Sequence, residues 1–228
     1  QIIFQDPYAS LNPRMSIGDI IAEPLKIYKL CNSKAEREKK VHEIMDVVGL
    51  AERTYSLYPH ELDGGRRQRV GIARALALQP DFIVCDEPVS ALDVSIQAQI
   101  LNLMQDLQEQ SGLTYIFITH DLSVVKHISD EICVMYLGNL VEKCPSDKLF
   151  EKQLHPYSQA LLSAIPVAKT DAVRNRIILK GEISSPIDPA PGCRFASRCL
   201  YAKPECFKTQ PEFKEVEPEH FVACHLFD

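Results

Sequence analysis

Two adjacent carboxylates, Asp86 and Glu87, close the apolar run FIVC at 82–85. A buried strand ending in acids delivers them to the sheet edge where open α/β folds bind ligands. There Asp86 can hold Mg²⁺, directly or through water, and Glu87 can orient or deprotonate an attacking water. A solvated pair at a strand end has the same sequence. A second apolar run, TYIFIT at 114–119, is followed by His120. In a parallel sheet that imidazole reaches the same edge, either to bond a phosphate oxygen and keep the water aligned or to cap the helix that follows Asp121. LDGGRRQR at 62–69 stands directly before a helical pattern. Its adjacent Gly64 and Gly65 let phosphate approach backbone N–H groups at a helix N-terminus, where the dipole is positive, although a plain Gly-Gly turn reads the same way. Gln5 is a polar residue at the end of the apolar segment Gln1–Phe4 and says little alone.

The elements that must position these groups follow from periodicity. SKAEREKKVHEIMDVVGL carries Val41, Ile44, Met45 and Val48 at helical spacing, and GRRQRVGIARALALQ (65–79) is helical until Pro80. FIVC and TYIFIT read as buried strands, with amphipathic helices at Val94–Gln110 and Leu122–Ile128. ICVMYLG (132–138) and NLVEK (139–143) read as strands meeting at a Gly-Asn turn. Buried strands alternating with helices between 80 and 136 predict βαβ units and a parallel sheet, preceded by a mostly helical insert. From about residue 166 the character changes, with prolines 186, 189, 191, 204, 211 and 218 interrupting any long element.

The 228 residues carry a net charge of −6 and no basic run, which argues against a nucleic-acid binder. No apolar stretch approaches the roughly 18–20 residues needed to cross a bilayer, so a membrane role must come through partners. The segment before Gln5 has no basic start and is expected to be the tail of a strand inside a fold rather than a signal peptide. Of eight cysteines, Cys85 and Cys133 fall in apolar runs and are expected to be small hydrophobic core residues. Cys193, Cys199, Cys206 and Cys224 crowd the last 36 residues.

Taken in order, Gln5, LDGGRRQR, DEP, SALD (90–93) and TH resemble the ATP-binding subunit of ABC transporters. The resemblance implies a P-loop NTPase fold of the ABC type, a partial parallel sheet with a helical subdomain at about 11–75, and an irregular Cys-containing C-terminal extension. It implies that Gln5 is the Q-loop glutamine and a Mg²⁺ ligand, Asp86 the Walker B aspartate on Mg²⁺, Glu87 the catalytic glutamate and His120 the switch histidine. Asp63, Gly64, Gly65 and Arg66 match the LSGGQ signature, and Asp93 ends the D-loop; these are the expected nucleotide contacts. The family's Walker A loop lies upstream of the Q-loop and is absent from the 228 residues, which by themselves are expected not to bind or hydrolyse ATP. So is the aromatic residue that stacks on adenine.

QDPYASLNPRMSIGDIIAEPL (5–25), LHPYSQALLSAIP (154–166) and GCRFASRC…C…ACH (192–225) resemble the oligopeptide and dipeptide importer ATPases, whose nickel-peptide relatives share the pattern. An ATPase domain at 1–145 and an oligopeptide/dipeptide transporter C-terminal region at 146–228 follow. The implied function is ATP hydrolysis that energises peptide import, peripherally on the cytoplasmic face of the membrane. Implied partners are a second ATPase subunit, identical or homologous, two transmembrane permease subunits and, indirectly, a peptide-binding protein. Import of nickel or another small solute, or a non-transport ABC ATPase, are the alternatives. In some relatives the cysteine tail implies a 4Fe–4S cluster; His220 and His225 keep Zn²⁺ open, and reduced free thiols are the plain alternative.

Two signature positions depart from the family: Asp63 stands where Ser is usual and Arg66 where Gln is usual. A carboxylate there would face phosphate charge, at about 4 kcal/mol per like-charge pair at ~4 Å and an effective dielectric near 20. Arg66 can neutralise Asp63 along one helix face, or Asp63 can serve as an N-cap.

Overall fold

The computed structural model describes residues 1–165, 176–182, 185 and 187–228. These form two compact units, Gln1–His120 and Asp121–Asp228.

In the first unit, α1 (Ile17–Ile27) starts at Ser16, whose hydroxyl accepts from the Asp19 N–H at 3.2 Å. Its Ile17, Ile20, Ile21 and Leu25 recur at helical spacing and are buried. Each such side chain contributes about 1.5–3 kcal/mol by leaving water. α2 (Lys34–Val47) starts at Ser33 and buries Val41 and Met45, and Val48 just past its end is buried too, so three of the four positions that the periodicity singled out lie in the core. α3 (Gly64–Leu76) starts at Asp63 and buries Val70, Ile72 and Ala73. These three helices pack on one another, which gives the expected helical insert its own core.

Beside them lies a parallel sheet of β1 (Ile2–Ile3), β2 (Phe82–Asp86) and β3 (Thr114–Ile118), in that order. Its register aligns Ile3 with Cys85, Cys85 with Phe117 and Asp86 with Ile118, so the three strands end at one edge. Between β2 and β3 runs α4 (Val94–Ser111), capped by Asp93 and closed by Gly112 at φ 64°. Left-handed backbone costs glycine nothing, which is why the helix stops there.

The second unit contains α5 (Leu122–Ile128), the hairpin β4 (Glu131–Tyr136) and β5 (Asn139–Pro145), α6 (Ser146–Glu151), α7 (Pro156–Ser163), β6 (Phe213–Glu217) and β7 (His220–Ala223). Its antiparallel sheet runs β4-β5-β7-β6. The tail, expected to be irregular, is so only as far as residue 212 among the described residues, with short 3₁₀ turns at Ala196–Arg198 and Pro204–Phe207. It then forms a hairpin whose second strand pairs with β5, Glu142 opposite Val222. That pairing joins the 131–145 hairpin to the tail, so packing divides the chain at 120/121, whereas the family resemblance divides it at 145/146. The change of character expected at about 166 falls on residues 166–175, which lie outside the described residues.

The core of this unit is Ile132, Val134, Tyr136, Val141, Cys144, Leu149 and Phe195. Cys133, expected in a core, is exposed because strand alternation turns it to the face opposite Ile132 and Val134. Glu142 lies inside it, fully buried, and accepts from the backbone N–H groups of Leu154 (2.6 Å) and His155 (3.1 Å) and faces His220 Nε2 at 2.7 Å. A buried carboxylate is tolerable only with such a full set of partners. The His-Pro-Tyr run at 155–157 is the first turn of α7. His155 Nδ1 accepts from the Tyr157 N–H at 3.1 Å, Pro156 occupies the position where no N–H is needed, and the Tyr157 ring meets Tyr136 edge-on at 4.7 Å. Burial holds the His155 imidazole neutral, with its pKa pushed down to about 4.

Candidate functional site

At the shared edge of the parallel sheet, Glu87 follows directly on β2. Its φ is 43°, a left-handed backbone that a glutamate adopts only when its surroundings impose it. Its N–H donates to the Ile118 carbonyl at 2.9 Å, and its own carbonyl accepts from Ser90 Oγ at 3.1 Å. The carboxylate is thereby aimed at two side chains from the neighbouring strand ends. Gln5 Nε2 donates to one oxygen at 2.7 Å and His120 Nδ1 lies 2.9 Å from the other. Hydrogen bonding to His120 is the chief reason that the Glu87 carboxyl is held below its usual pKa; His120's charge, Ser90 and Gln5 act the same way. Gln5, Asp6, Glu87, Ser90, Ala91 and His120 line one open hollow of about 440 Å³.

The structure therefore brings together Gln5, Glu87 and His120, with Asp86 as the preceding residue on β2. With its Nε2 turned to Glu87, Gln5 keeps its amide oxygen as an acceptor, and Asp86 supplies a carboxylate. Two oxygen donors of this kind suit a hard cation such as Mg²⁺.

The signature residues lie elsewhere in the same unit. Asp63 caps α3, accepting from the Arg66 N–H at 2.8 Å, and its other oxygen pairs with Arg66 Nε at 3.2 Å. Cap and charge partner are thus both realised. Gly65 packs so closely on α4 that an added Cβ would sit 2.6 Å from Ile96 Cγ2, so glycine is required there by contact as well as by any approach to phosphate. Asp63, Gly65 and Arg66 line a separate hollow of about 380 Å³, with Arg53, Arg69 and Gln99. Asp93 is engaged as the α4 cap, accepting from Ile96 N–H at 3.0 Å.

The expected cysteine metal centre is not found as such: among the described residues no three His, Cys, Asp or Glu groups are placed to hold a metal ion. The four thiols are nonetheless neighbours. The Cys193 N–H donates to the Cys206 carbonyl at 2.8 Å, and the sulfurs of Cys199 and Cys206 each accept from a backbone N–H at 3.4 Å, Tyr201 and Lys203 respectively. Gly192, at φ 104°, permits this turn, since a Cβ there would lie 2.5 Å from the Cys206 carbonyl oxygen. Burial first, then the neighbouring cysteines, raise the Cys224 thiol to about 11. His220, held open as a ligand by the sequence, is committed to Glu142, and His225 Nδ1 to Asp228 at 2.5 Å.

Sequence reasoning missed Arg67 and Arg74. They stand seven residues apart, hence on one face of α3, and reach the loop that follows Gln5. Arginines at that spacing beside a glycine-led helix start were the available signal.

Comparison with known proteins bears on the fold and the family. The ABC transporter family matches residues 1–90, and the family described as oligopeptide/dipeptide transporter, C-terminal region, matches 141–206. The putative oligopeptide transport ATP-binding protein YkfD of Bacillus subtilis is 56% identical over 229 residues, covering 100% of this chain and 70% of the relative. The oligopeptide transport ATP-binding protein OppF of Escherichia coli is 55% identical, covering 100% and 69%. Among solved structures, the ADP- and Pi-bound post-hydrolysis dimer of the ATP-binding cassette MJ0796 matches at 32% identity and TM-score 0.56, covering 64% of this chain and 63% of that one. The parallel sheet with its helical layer is thus that of an ABC-type ATPase. Within that class, the chain belongs to the family of oligopeptide transport ATP-binding proteins. Among the described residues no helix is long and apolar enough to cross a membrane.

Proposed function

We propose that this chain is the ATP-hydrolysing subunit of a peptide importer, with Glu87 as the base that activates water. One observation carries the reading: a single carboxylate is gripped from both sides by Gln5 and His120, at 2.7 and 2.9 Å. Its lowered pKa keeps Glu87 ionised at neutral pH, ready to accept a proton. Gln5 and His120 fix the direction of its lone pairs. Asp86 and the Gln5 amide oxygen are the residues that would hold Mg²⁺, which supplies neutralisation of the phosphate charge. The α3 start, Asp63 to Arg66, packed against the α4 start that Asp93 caps, would face the nucleotide of a second ATPase subunit. Two permease subunits would hold the pair at the cytoplasmic face of the membrane, with a peptide-binding protein feeding them. The names of the relatives support peptide as the cargo. In the assembled transporter, Glu87→Gln should keep ATP binding and lose turnover; wild-type turnover in that protein would remove Glu87 from the role.

A second reading concerns the tail. We propose that Cys193, Cys199, Cys206 and Cys224 take up a metal, either Zn²⁺ or a 4Fe–4S cluster, after side-chain rearrangement. Their proximity and the N–H groups already turned toward two of the sulfurs support it. Anaerobically purified protein should contain iron with sulfide, or zinc; four freely alkylated thiols without metal would end the idea.

A further inference from the structure

Gln5 must be held in place by something other than its own strand. β1 is two residues long, and Gln5 itself is exposed. The loop that follows is shaped internally by Asp6, whose Oδ1 accepts from the Tyr8 and Ala9 N–H groups at 2.8 and 3.2 Å. Those bonds give the loop a form but do not anchor it. Two arginines of α3 supply an anchor. Arg74 Nη1 donates to the Ser10 carbonyl at 2.6 Å, a charge-assisted bond in a half-buried setting. Burial lowers the Arg74 pKa from its ordinary value, against which Glu23 on α1 acts. The guanidinium of Arg67 stands 5.1 Å from the centre of the Tyr8 ring, while its Nε donates to the Pro59 carbonyl at 2.8 Å. One helix therefore grips the Gln5 loop at two points, and the same helix begins with the Asp63–Arg66 turn.

We infer that Arg74 and Arg67 are positioning residues that fix the Gln5 loop to α3, so that the Gln5 amide meets the Glu87 carboxylate only when α3 is correctly seated. The inference rests on the reading of Glu87 as the hydrolytic base. It makes α3 a lever: a shift at its Gly64 end is carried by two guanidinium groups to the residue that orients Glu87. Neither arginine touches the reacting atoms.

A double-mutant cycle in the assembled transporter tests this, with kcat and KM for ATP measured for Arg74→Met, Gln5→Ala and both together. Arg74→Met should lower kcat about 10-fold, by misplacing an orienting group, and leave KM within about two-fold. The double variant should be no slower than Gln5→Ala alone, because Arg74 acts through Gln5. Arg74→Lys, which keeps one charged donor for the Ser10 carbonyl, should recover most of the rate. Losses that multiply, or a lysine variant no better than methionine, would overturn the inference. If Arg74→Met does not fold, Arg67→Leu enters the same cycle, where the same lack of additivity is required. Wild-type turnover in Glu87→Gln would instead overturn the hydrolytic reading, and that result is read independently of the cycle.

Discussion

The molecule uses one chemical pair, a glutamate and a histidine, twice and in opposite ways. Glu87 and His120 sit 2.9 Å apart in an open hollow, with the imidazole side chain 74% exposed. Glu142 and His220 sit 2.7 Å apart with side-chain exposures of 0% and 1%. In the first pair the glutamate keeps lone pairs facing water and its backbone is strained. In the second, each carboxylate oxygen is consumed by a backbone amide, one of them also by the imidazole. The geometry of the pair is nearly the same, and what differs is access. The carboxylate that we propose as the base is thus told from the structural one by its access to water rather than by its histidine partner.

Substitutions should separate the two. The largest effect is expected at the closed pair: Glu142→Ala strands His220 and two backbone amides, and should cost about 3–5 kcal/mol in denaturant unfolding. At the open pair, Glu87→Gln should lower ATP turnover about 10²–10³-fold in the assembled transporter, or about 3–4 kcal/mol of barrier. The midpoint of unfolding should barely move, since the amide keeps the shape and the position is open to solvent. A reversal of these two outcomes would break the distinction.

His155, next to the closed pair, sharpens the comparison through pH. Its folded pKa of about 4 lies below the ordinary 6.5, so its stabilising effect is complete above 6.5 and is lost as pH falls toward 4. Linkage gives a loss of about 2 kcal/mol between pH 7 and pH 5, visible as a falling melting temperature. His155→Asn keeps a capping acceptor without the imidazole and should flatten that slope. The smallest effect is expected at Asp63. Serine caps a helix about as well, so Asp63→Ser should change stability by less than about 0.5 kcal/mol, and any change in ATPase rate would then report on charge at the α3 start.

Much of the open pair was legible in the sequence. Apolar runs ending in Asp86-Glu87 and Thr119-His120 placed both at strand ends, and a parallel sheet forces such ends to one edge. The helices at Lys34–Val47, Gly64–Leu76 and Val94–Ser111 follow the hydrophobic spacing closely. Asp63 was open to two readings, and both hold, because one oxygen caps while the other meets Arg66. The closed pair was not legible. Glu142 reads as a polar position in a short strand, and His220 as a tail residue just past the last proline, Pro218. Nothing periodic connects residues 78 apart, and only the β5–β7 register shows that they share an interior. The last of the prolines that marked the tail as irregular, Pro218, falls in the turn between Phe213–Glu217 and His220–Ala223, so it interrupts neither strand and a glycine-free turn suffices for the hairpin.

That long-range register also sets an order of events in folding. The β4–β5 hairpin involves near neighbours and can form within microseconds, whereas β7 must be recruited across a loop of nearly eighty residues. Until it arrives, the Glu142 carboxylate lacks its imidazole and favours water over the core. The interior around Val134 and Val141 therefore has to close late, from the side that β7 will cover. In a transition-state map, changes at Glu142 and His220 should speed unfolding and leave the folding rate almost untouched, while changes within the β4–β5 turn should slow folding.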